Sequence, residues 1–519
     1  MFCEPLLSEA RHVEVQVVAD AHGSVWALTE RDCSVQRRYQ KVIEETPSPA
    51  VGPRLREKLL AAAAAVTRAV GYLGAGTAEF LVADDGQFFF LEFNTRLQVE
   101  HPVTECVHGL DLVALQLDAA QGIALPPRPP PPSGHAIEAR LYAEDPADGY
   151  RPAIGTVRTL AVPDVDTRFA PPASHAGPVL RLDSGVEAGS EVSPHYDPML
   201  AKLIAWAPTR ETASGLLAGA LDRAAIHGPA TNRGLLVSVL RDPAFLAGQA
   251  DTSLLDGYDL AGLVPGQQAC RLSAVAAALA RAAANRSEAR AAAGLPSGWR
   301  NVASQPQRGA FDGPRGRIEV AYRWHRDRIT AAAADATSPT PDTAGFHAAD
   351  PDGPDVVGAA PDHAVLEVSG VRYRFDVARA DDLVWVDSAF GHVVLSAVPR
   401  LPAPVAVFEP GSLVAPMPGN VVRIGAGRGE PIRAGQPIVV LEAMKMEHQI
   451  VAPVDGLVAE VRVAVGDQVQ AGDVLAIVDT SQRGAVPPGV RRGGGGEVQA
   501  TREGGASEEG TGGGRGASR

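Results

Sequence analysis

The chain opens on residues 13–29, whose apolar and polar positions alternate like a pair of strands around His22-Gly23. From Pro53 to Val70 the period lengthens to that of a helix. Proline sits in its first turn, Leu55, Leu59, Ala62, Val66 and Val70 share one face, and Gly71 ends it. Two strands are expected at 76–83 and 87–93, joined by the compact turn "DDGQ". The run "PPRPPPP" (126–132) suits neither a helix nor a central strand and predicts a rigid spacer. Residues 134–258 mix both periods as a second unit, and an alanine-rich helical stretch (272–293) precedes strands at 316–330 and 364–398. Residues 331–362, rich in Pro, Asp and Gly, are expected to be a disordered insertion, and 481–519 a disordered tail.

The segment 411–480 repeats itself. "APMPG" (415–419) returns as "APVDG" (452–456), and "RAGQPIVVL" (433–441) as "QAGDVLAIV" (470–478), both displaced by 37 residues. Each half alternates Val, Ile and Leu with polar residues and turns on glycines, so two small β units must pack together to bury a face. The junction reads "VLEAMKMEHQI" (440–450), which places Lys445 between Met444 and Met446 at a hairpin tip. A lysine that accepts a covalent group needs a tight turn and uncharged neighbours, and Ala443 and the two methionines supply both. A solvated turn lysine is the plain alternative.

Composition narrows the classes little. With 519 residues the chain exceeds one core, and apolar (45%) and charged (21%) fractions are those of a soluble globular protein. The net charge of −14 argues against a non-specific nucleic-acid binder, and neither a membrane span nor a signal peptide is read, so a cytoplasmic protein is expected. Cys3, Cys33, Cys106 and Cys270 are far apart and read as reduced thiols.

Candidate chemistry gathers in "GTAEFLVADDGQFFFLEFNTRLQVEHPVTE" (76–105). Glu79 and Glu92 fall on paired strands with Asn94 on the same face, hard ligands suited to Mg²⁺; a solvated acidic face is the alternative. Arg96 and Glu100 follow on an irregular segment, where a planar cation can hold bicarbonate and a carboxylate can take its proton.

Two family resemblances rest on these residues. Segment 411–480 resembles the biotinyl carrier domain of biotin-dependent carboxylases, a flattened β-barrel with its lysine between two methionines; lipoate on Lys445 is the related alternative. "RHVEVQVVAD" (11–20), "ERDCSVQRRYQKVIEETPSP" (30–49), "EFNTRLQVEHPVTE" (92–105), "EARLYAEDP" (138–146) and "HYDPMLAKLI" (195–204) resemble biotin carboxylase, of the ATP-grasp fold, in that family's order. The resemblance implies an α+β multidomain chain. Residues 1–125 would form the C-terminal part of an ATP-grasp domain, 134–258 the biotin carboxylase C-terminal domain, 259–405 a linker and β-barrel docking region, and 411–480 the biotinyl domain.

By matched position, the resemblance implies Glu79, Glu92 and Asn94 as ligands of Mg²⁺ or Mn²⁺. Lys41, Arg96, Gln98 and Val99 become the bicarbonate cradle, Arg96 and Glu100 the catalytic pair, and Arg181 the biotin-binding arginine. ATP would meet Glu4, Leu7, His12, Tyr39, Glu79 and Glu92; for His12 a satisfied half-buried histidine stands beside that role, and Tyr39 replaces a histidine found in some members. ATP then activates bicarbonate as carboxyphosphate, biotin on Lys445 is carboxylated, and a carboxyltransferase β subunit passes the carboxyl group to an acyl-CoA of the acetyl or propionyl type. A biotin protein ligase and an oligomeric assembly are further implied partners, with neither nucleic acid nor membrane. The family places a glycine-rich lid ahead of the adenine hinge, and none precedes residue 80 here. The expectation is a subunit with its front removed, unable to carboxylate biotin by itself. Two classes stay open: an ATP-dependent ligase subunit, or a catalytically incomplete biotin carrier and docking module.

Overall fold

The computed structural model describes residues 7, 10–172, 176–291, 305–324, 328–335, 354–401, 411–444 and 446–479, with single positions at 294, 295, 297, 301 and 409. The chain divides into two compact units, residues up to 407 with 442–448, and 408–441 with those from 449 onward.

The first unit is built on one sheet. Its elements are β1 (Ala10–Ala19), β2 (Val25–Ala27), β3 (Arg31–Arg37), β4 (Gln40–Thr46), α1 (Pro53–Ala69), β5 (Gly74–Ala83), β6 (Phe88–Asn94), α2 (His101–His108), α3 (Leu112–Ala120), β7 (His135–Tyr142), β8 (Val179–Ser184) and β9 (Met199–Ala207). The strands lie in the order β8-β9-β7-β4-β3-β1-β5-β6, with β2 on β1, and each pairing is antiparallel. Because β4 pairs with β7, residues from 1–125 and from 134–258 share this sheet. The proline spacer between them is tied down, its Pro126 carbonyl accepting from Trp26 Nε1 at 3.1 Å and its Pro130 carbonyl meeting His108 Nδ1 at 2.8 Å.

Strand β1 shows how such a sheet carries a site. Val13, Val15 and Val17 pack with Leu59 and Ala63 of α1 and Phe80 of β5, each fully buried aliphatic side chain contributing roughly 1.5–3 kcal/mol. On the other face His12, Glu14 and Gln16 are buried too. The buried stripe of α1 runs through Leu59, Ala63 and Thr67, and Val70 is exposed. The small Ala63 and Thr67 let the helix approach the sheet more closely than the larger residues on the expected face. Strand β7 divides the same way: Ile137, Ala139 and Leu141 join the core, while Glu138, Arg140 and Tyr142 alternate with them.

Further along, eight strands from Gln307–Gly313 to Gly391–Ala397 close a barrel. The helix Gln267–Ser287 touches all eight strands and is buried around most of its circumference. Its alanines keep it thin enough to fill the barrel, where Ala274, Ala277 and Ala278 share a core with Phe311, Phe375 and Leu395. Parts of the segment 331–362, expected to be a disordered insertion, are ordered: Ile329–Asp335 and Asp355–Ala360 are barrel strands, and 336–353 lie outside the described residues. The stretch "ITAAAAD" hides its strand because alanine gives no period-two contrast, and its order comes from pairing with Gly316–Trp324. His227 bridges sheet region and barrel, its Nε2 2.7 Å from Asp387, which also meets His392 Nδ1 at 2.6 Å.

The segment 411–479 folds as a flattened barrel of two four-stranded sheets. One orders Ser412–Val414, Val474–Asp479, Gly456–Val461 and Pro431–Ile432; the other Met446–Val451, Pro437–Ala443, Gly419–Ile424 and Gln468–Val469. The 37-residue repeat appears here as reciprocal hydrogen bonds between the halves. Gly435 N–H donates to Ala452 O and Gly472 N–H to Ala415 O, both at 2.8 Å. Gly429 to Val458 O and Gly466 to Val421 O follow the same rule, both at 2.7 Å. Ile432, Ile438, Leu441, Val458 and Leu475 fill the space between the sheets.

Candidate active site

The polar faces of β1, β3, β4 and β5 meet the irregular segment before α2 in a buried ionic cluster. At its base Arg31 commits all five N–H groups: to Glu14 (2.5 Å), Gln16 (2.8 Å), Thr104 (3.0 Å), Thr77 (3.2 Å) and Gln98 (2.9 Å). Lys41 Nζ lies 2.6 Å from Glu14, 2.5 Å from Glu100 and 3.5 Å from Glu79. Arg140 of β7 donates to the other oxygen of Glu100 at 2.9 Å. Burial alone would neutralise Glu14, yet Arg31 and Lys41 hold its carboxyl well below the usual carboxylate range. Burial would likewise strip Lys41 of its proton, and the surrounding carboxylates overcome this and raise it.

Glu79 and Glu92 are direct partners across β5 and β6. Burial opposes ionisation of Glu79, but His12 (2.8 Å), the charge of Lys41 and Gln98 (2.5 Å) hold it at about 2. Asn94 Nδ2 bridges Glu79 at 2.9 Å and Glu92 at 3.0 Å. Turned over about its last torsion, the same amide would offer its oxygen to a cation between the two carboxylates, a hard donor set that fits Mg²⁺. A tighter grouping, His12, Glu14 and Glu79, also brings ligand atoms together. Glu14 is already committed to Arg31 and Lys41, so the exposed side of Glu79 toward Glu92 is the better cation position.

Leu7, His12, Tyr39, Lys41, Glu79 and Glu92 open on one depression, and Arg96, Gln98, Val99 and Glu100 form its other wall. Arg96 is exposed, its Nη1 donating to Leu97 O at 3.3 Å. Tyr39 is 94% exposed at the β3–β4 turn, with φ of 67°. His12 is the satisfied, buried histidine, its Nε2 committed to Glu79. Arg181 sits elsewhere: it is buried, grips Asp183 through two bonds of 2.9 and 2.8 Å and reaches Glu105 at 2.7 Å. It lines a separate cavity of about 430 Å³, which it shares with Val99, His101 and Lys202. Val99 is the common wall, and Lys202 Nζ donates to its carbonyl at 2.6 Å. Glu4 and Lys445 lie outside the described residues; the strands Pro437–Ala443 and Met446–Val451 that flank Lys445 are neighbours in one sheet.

Sequence reasoning passed over Glu14, Arg31, Glu44, Glu138 and Arg140. For Glu14, Glu138 and Arg140 the signal is the strict alternation in "HVEVQV" and "IEARLY", where charged residues recur inside strands whose intervening positions are all apolar. Both faces of such strands are buried here, so the charges must pair with one another.

Four family models match the chain in succession. Residues 1–128 match the carbamoyl-phosphate synthase L chain ATP-binding domain, and 138–257 the biotin carboxylase C-terminal domain. Residues 271–400 match the BT domain of the methylcrotonyl-CoA carboxylase alpha-subunit, and 411–478 the biotin-requiring enzyme model. The mouse (Mus musculus) mitochondrial methylcrotonoyl-CoA carboxylase subunit alpha is 35% identical over 470 residues, covering 87% of this chain and 62% of the relative. The propionyl-CoA carboxylase alpha chain of Ruegeria pomeroyi is 36% identical over 478 residues, 86% of this chain and 67% of the relative. The biotin carboxylase of a Nostoc strain is 43% identical over 257 residues, 49% of this chain and 55% of that one. An ATP-grasp carboxylase part joined through a barrel to a biotinyl part defines a biotin-dependent carboxylase component. Within that class the chain belongs to the α subunits of acyl-CoA carboxylases. It spans 62% of the length of the mouse relative.

Proposed function

We propose that this chain supplies the site at which biotin attached to Lys445 is carboxylated, at the expense of ATP and with bicarbonate, for transfer to an acyl-CoA by a partner carboxyltransferase. Arg96 would hold the bicarbonate and Glu100 accept its proton, with Lys41, Gln98 and the Val99 backbone completing the cradle. Mg²⁺ would lie between Glu79, Glu92 and Asn94 and neutralise triphosphate charge, and Arg181 would face the biotin ring from the neighbouring cavity. The relatives named for methylcrotonoyl-CoA and propionyl-CoA suggest a short acyl-CoA as final acceptor.

The observation that carries this reading is the depression itself. It holds an exposed guanidinium, Arg96, which among the described residues donates only to the Leu97 carbonyl, together with a carboxylate, Glu100, that is held in place by Lys41 and Arg140. A fixed base and an exposed cation on one depression suit a small planar anion carrying one proton. The test begins at the carrier. Incubated with biotin protein ligase, ATP and biotin, the chain should gain the mass of one biotin, and Lys445→Arg should abolish the gain. No biotin, or lipoate in its place, would sink the reading; biotin without bicarbonate binding would reduce the chain to a carrier and docking module.

A further inference from the structure

Behind the cluster lie two carboxyl groups that the proposed reaction does not use. Glu44 of β4 and Glu138 of β7 are direct cross-strand partners, and both are fully buried. Among the described residues, no group makes an aligned hydrogen bond to any of their four oxygens. Arg140 Nε lies against Glu44 as an ion pair, while its other end is bonded to Glu100 at 2.9 Å. Lys202, directly across from Arg140 on β9, donates to the Val99 carbonyl at 2.6 Å and sits 3.7 Å from Asp183. Arg140 is therefore shared between Glu44 and Glu100, Lys202 serves Val99 and Asp183, and among the described residues Glu138 has no cation of its own. A buried carboxylate without a counter-charge is far more costly than a buried neutral acid, and a second carboxylate alongside raises that cost.

We propose that Glu44 and Glu138 carry a single negative charge between them at neutral pH, the proton residing on Glu138, and that this pair positions Arg140 and Lys202 beneath Val99 and Glu100. The proposal rests on the carboxylase reading for its purpose, though not for its existence. Were both acids ionised, they would draw Arg140 away from Glu100 and Lys202 away from the Val99 carbonyl, loosening both ends of the bicarbonate wall. The other titratable groups facing the pair are Lys41 from β4, Cys33 from β3 and Tyr142 from β7. Glu100, at the N-cap of α2, and Cys106, in its last turn, face it as well. Burial raises both carboxyls above their ordinary range, against the pull of Arg140 on Glu44 and of Lys202 on Glu138.

The sign of the linkage follows. A raised carboxyl binds more protons folded than unfolded, so its stabilisation is complete below the ordinary carboxylate range and is lost as pH rises through about 8. Infrared spectra of the purified full chain should show a protonated, weakly hydrogen-bonded carboxyl at neutral pH. Glu138→Gln should remove that band and flatten the fall of stability toward alkaline pH. Bicarbonate affinity should drop severalfold from neutral to mildly alkaline pH in the wild type and stay level in Glu138→Gln, a difference that simple loss of packing would not produce. Should Glu138→Gln fail to fold, the wild-type spectrum still decides: the band must be present at neutral pH and disappear on alkalinisation. Its absence at neutral pH, or its survival unchanged in Glu138→Gln, overturns the proposal. The infrared readout needs neither ATP nor biotin, so this failure is distinct from a chain that takes no biotin.

Discussion

Arg31 is enclosed by Glu14, Gln16, Thr77, Gln98 and Thr104, whereas Arg96, exposed, donates to the Leu97 carbonyl alone among the described residues. Removing the first strands two or more buried polar groups, Glu14 foremost, and should cost about 3–5 kcal/mol in denaturant unfolding of Arg31→Ala. Removing the second breaks almost nothing in the folded state. Arg96→Ala should therefore unfold within about 0.5 kcal/mol of wild type. Its bicarbonate affinity should nevertheless fall about ten- to a hundredfold in titration calorimetry, the worth of a charge-assisted contact. Unchanged bicarbonate binding would remove Arg96 from the site. That Arg96, Glu100, Glu79 and Glu92 open on one depression could be expected from the sequence, because they share one short segment. The enclosure of Arg31 could not, since its partners come from β1, β5 and α2 and only the fold unites them.

Among the elements, long segments with strong contrast were readable: α1, β5 and β6 lie within two residues of their expected ends. Alanine erased the contrast elsewhere, in the barrel strand Ile329–Asp335 and on the buried face of α1. Close approaches were invisible too. Gly134 enters β7 with φ of +69°, and a Cβ there would stand 2.6 Å from the Ala207 carbonyl and 2.7 Å from the Trp206 ring. Gly134→Ala should thus destabilise the first unit by about 1–3 kcal/mol through overpacking where β7 meets β9. Gly86→Ala, at φ +78° but in open space, isolates the backbone strain and should cost less, about 1 kcal/mol. Equal losses in thermal unfolding would show that the packing at Gly134 is loose.

At the scale of the whole chain, the domain order follows from motif succession and linker composition, while the shared sheet of 1–125 and 134–258 depends on β4 meeting β7, a pairing without a local signal. Two compact units should give two calorimetric transitions. Asp387 belongs to the first. Burial would raise it, but His227 and His392 hold it well below the usual range while joining barrel to sheet region. Asp387→Asn should lower the first transition by several degrees, consistent with about 1–3 kcal/mol for an unmade buried bond, and leave the second in place. A single transition, or a shift confined to the second, would contradict this partition.

The reciprocal pairing of the 37-residue halves also bears on how the protein is made. Gly435 and Ala415 take their partners from the other half, and Ser412–Val414 pairs with Val474–Asp479. As the polypeptide leaves the ribosome, the first half emerges with its hydrogen-bonding partners still untranslated, and cannot close before the last strand is out. The strands Pro437–Ala443 and Met446–Val451, although synthesised earlier, reach their place in the finished barrel only then. Any modifying enzyme that reads the turn between them in its folded shape therefore acts after translation has passed Asp479, and passes over chains that end before that strand is made.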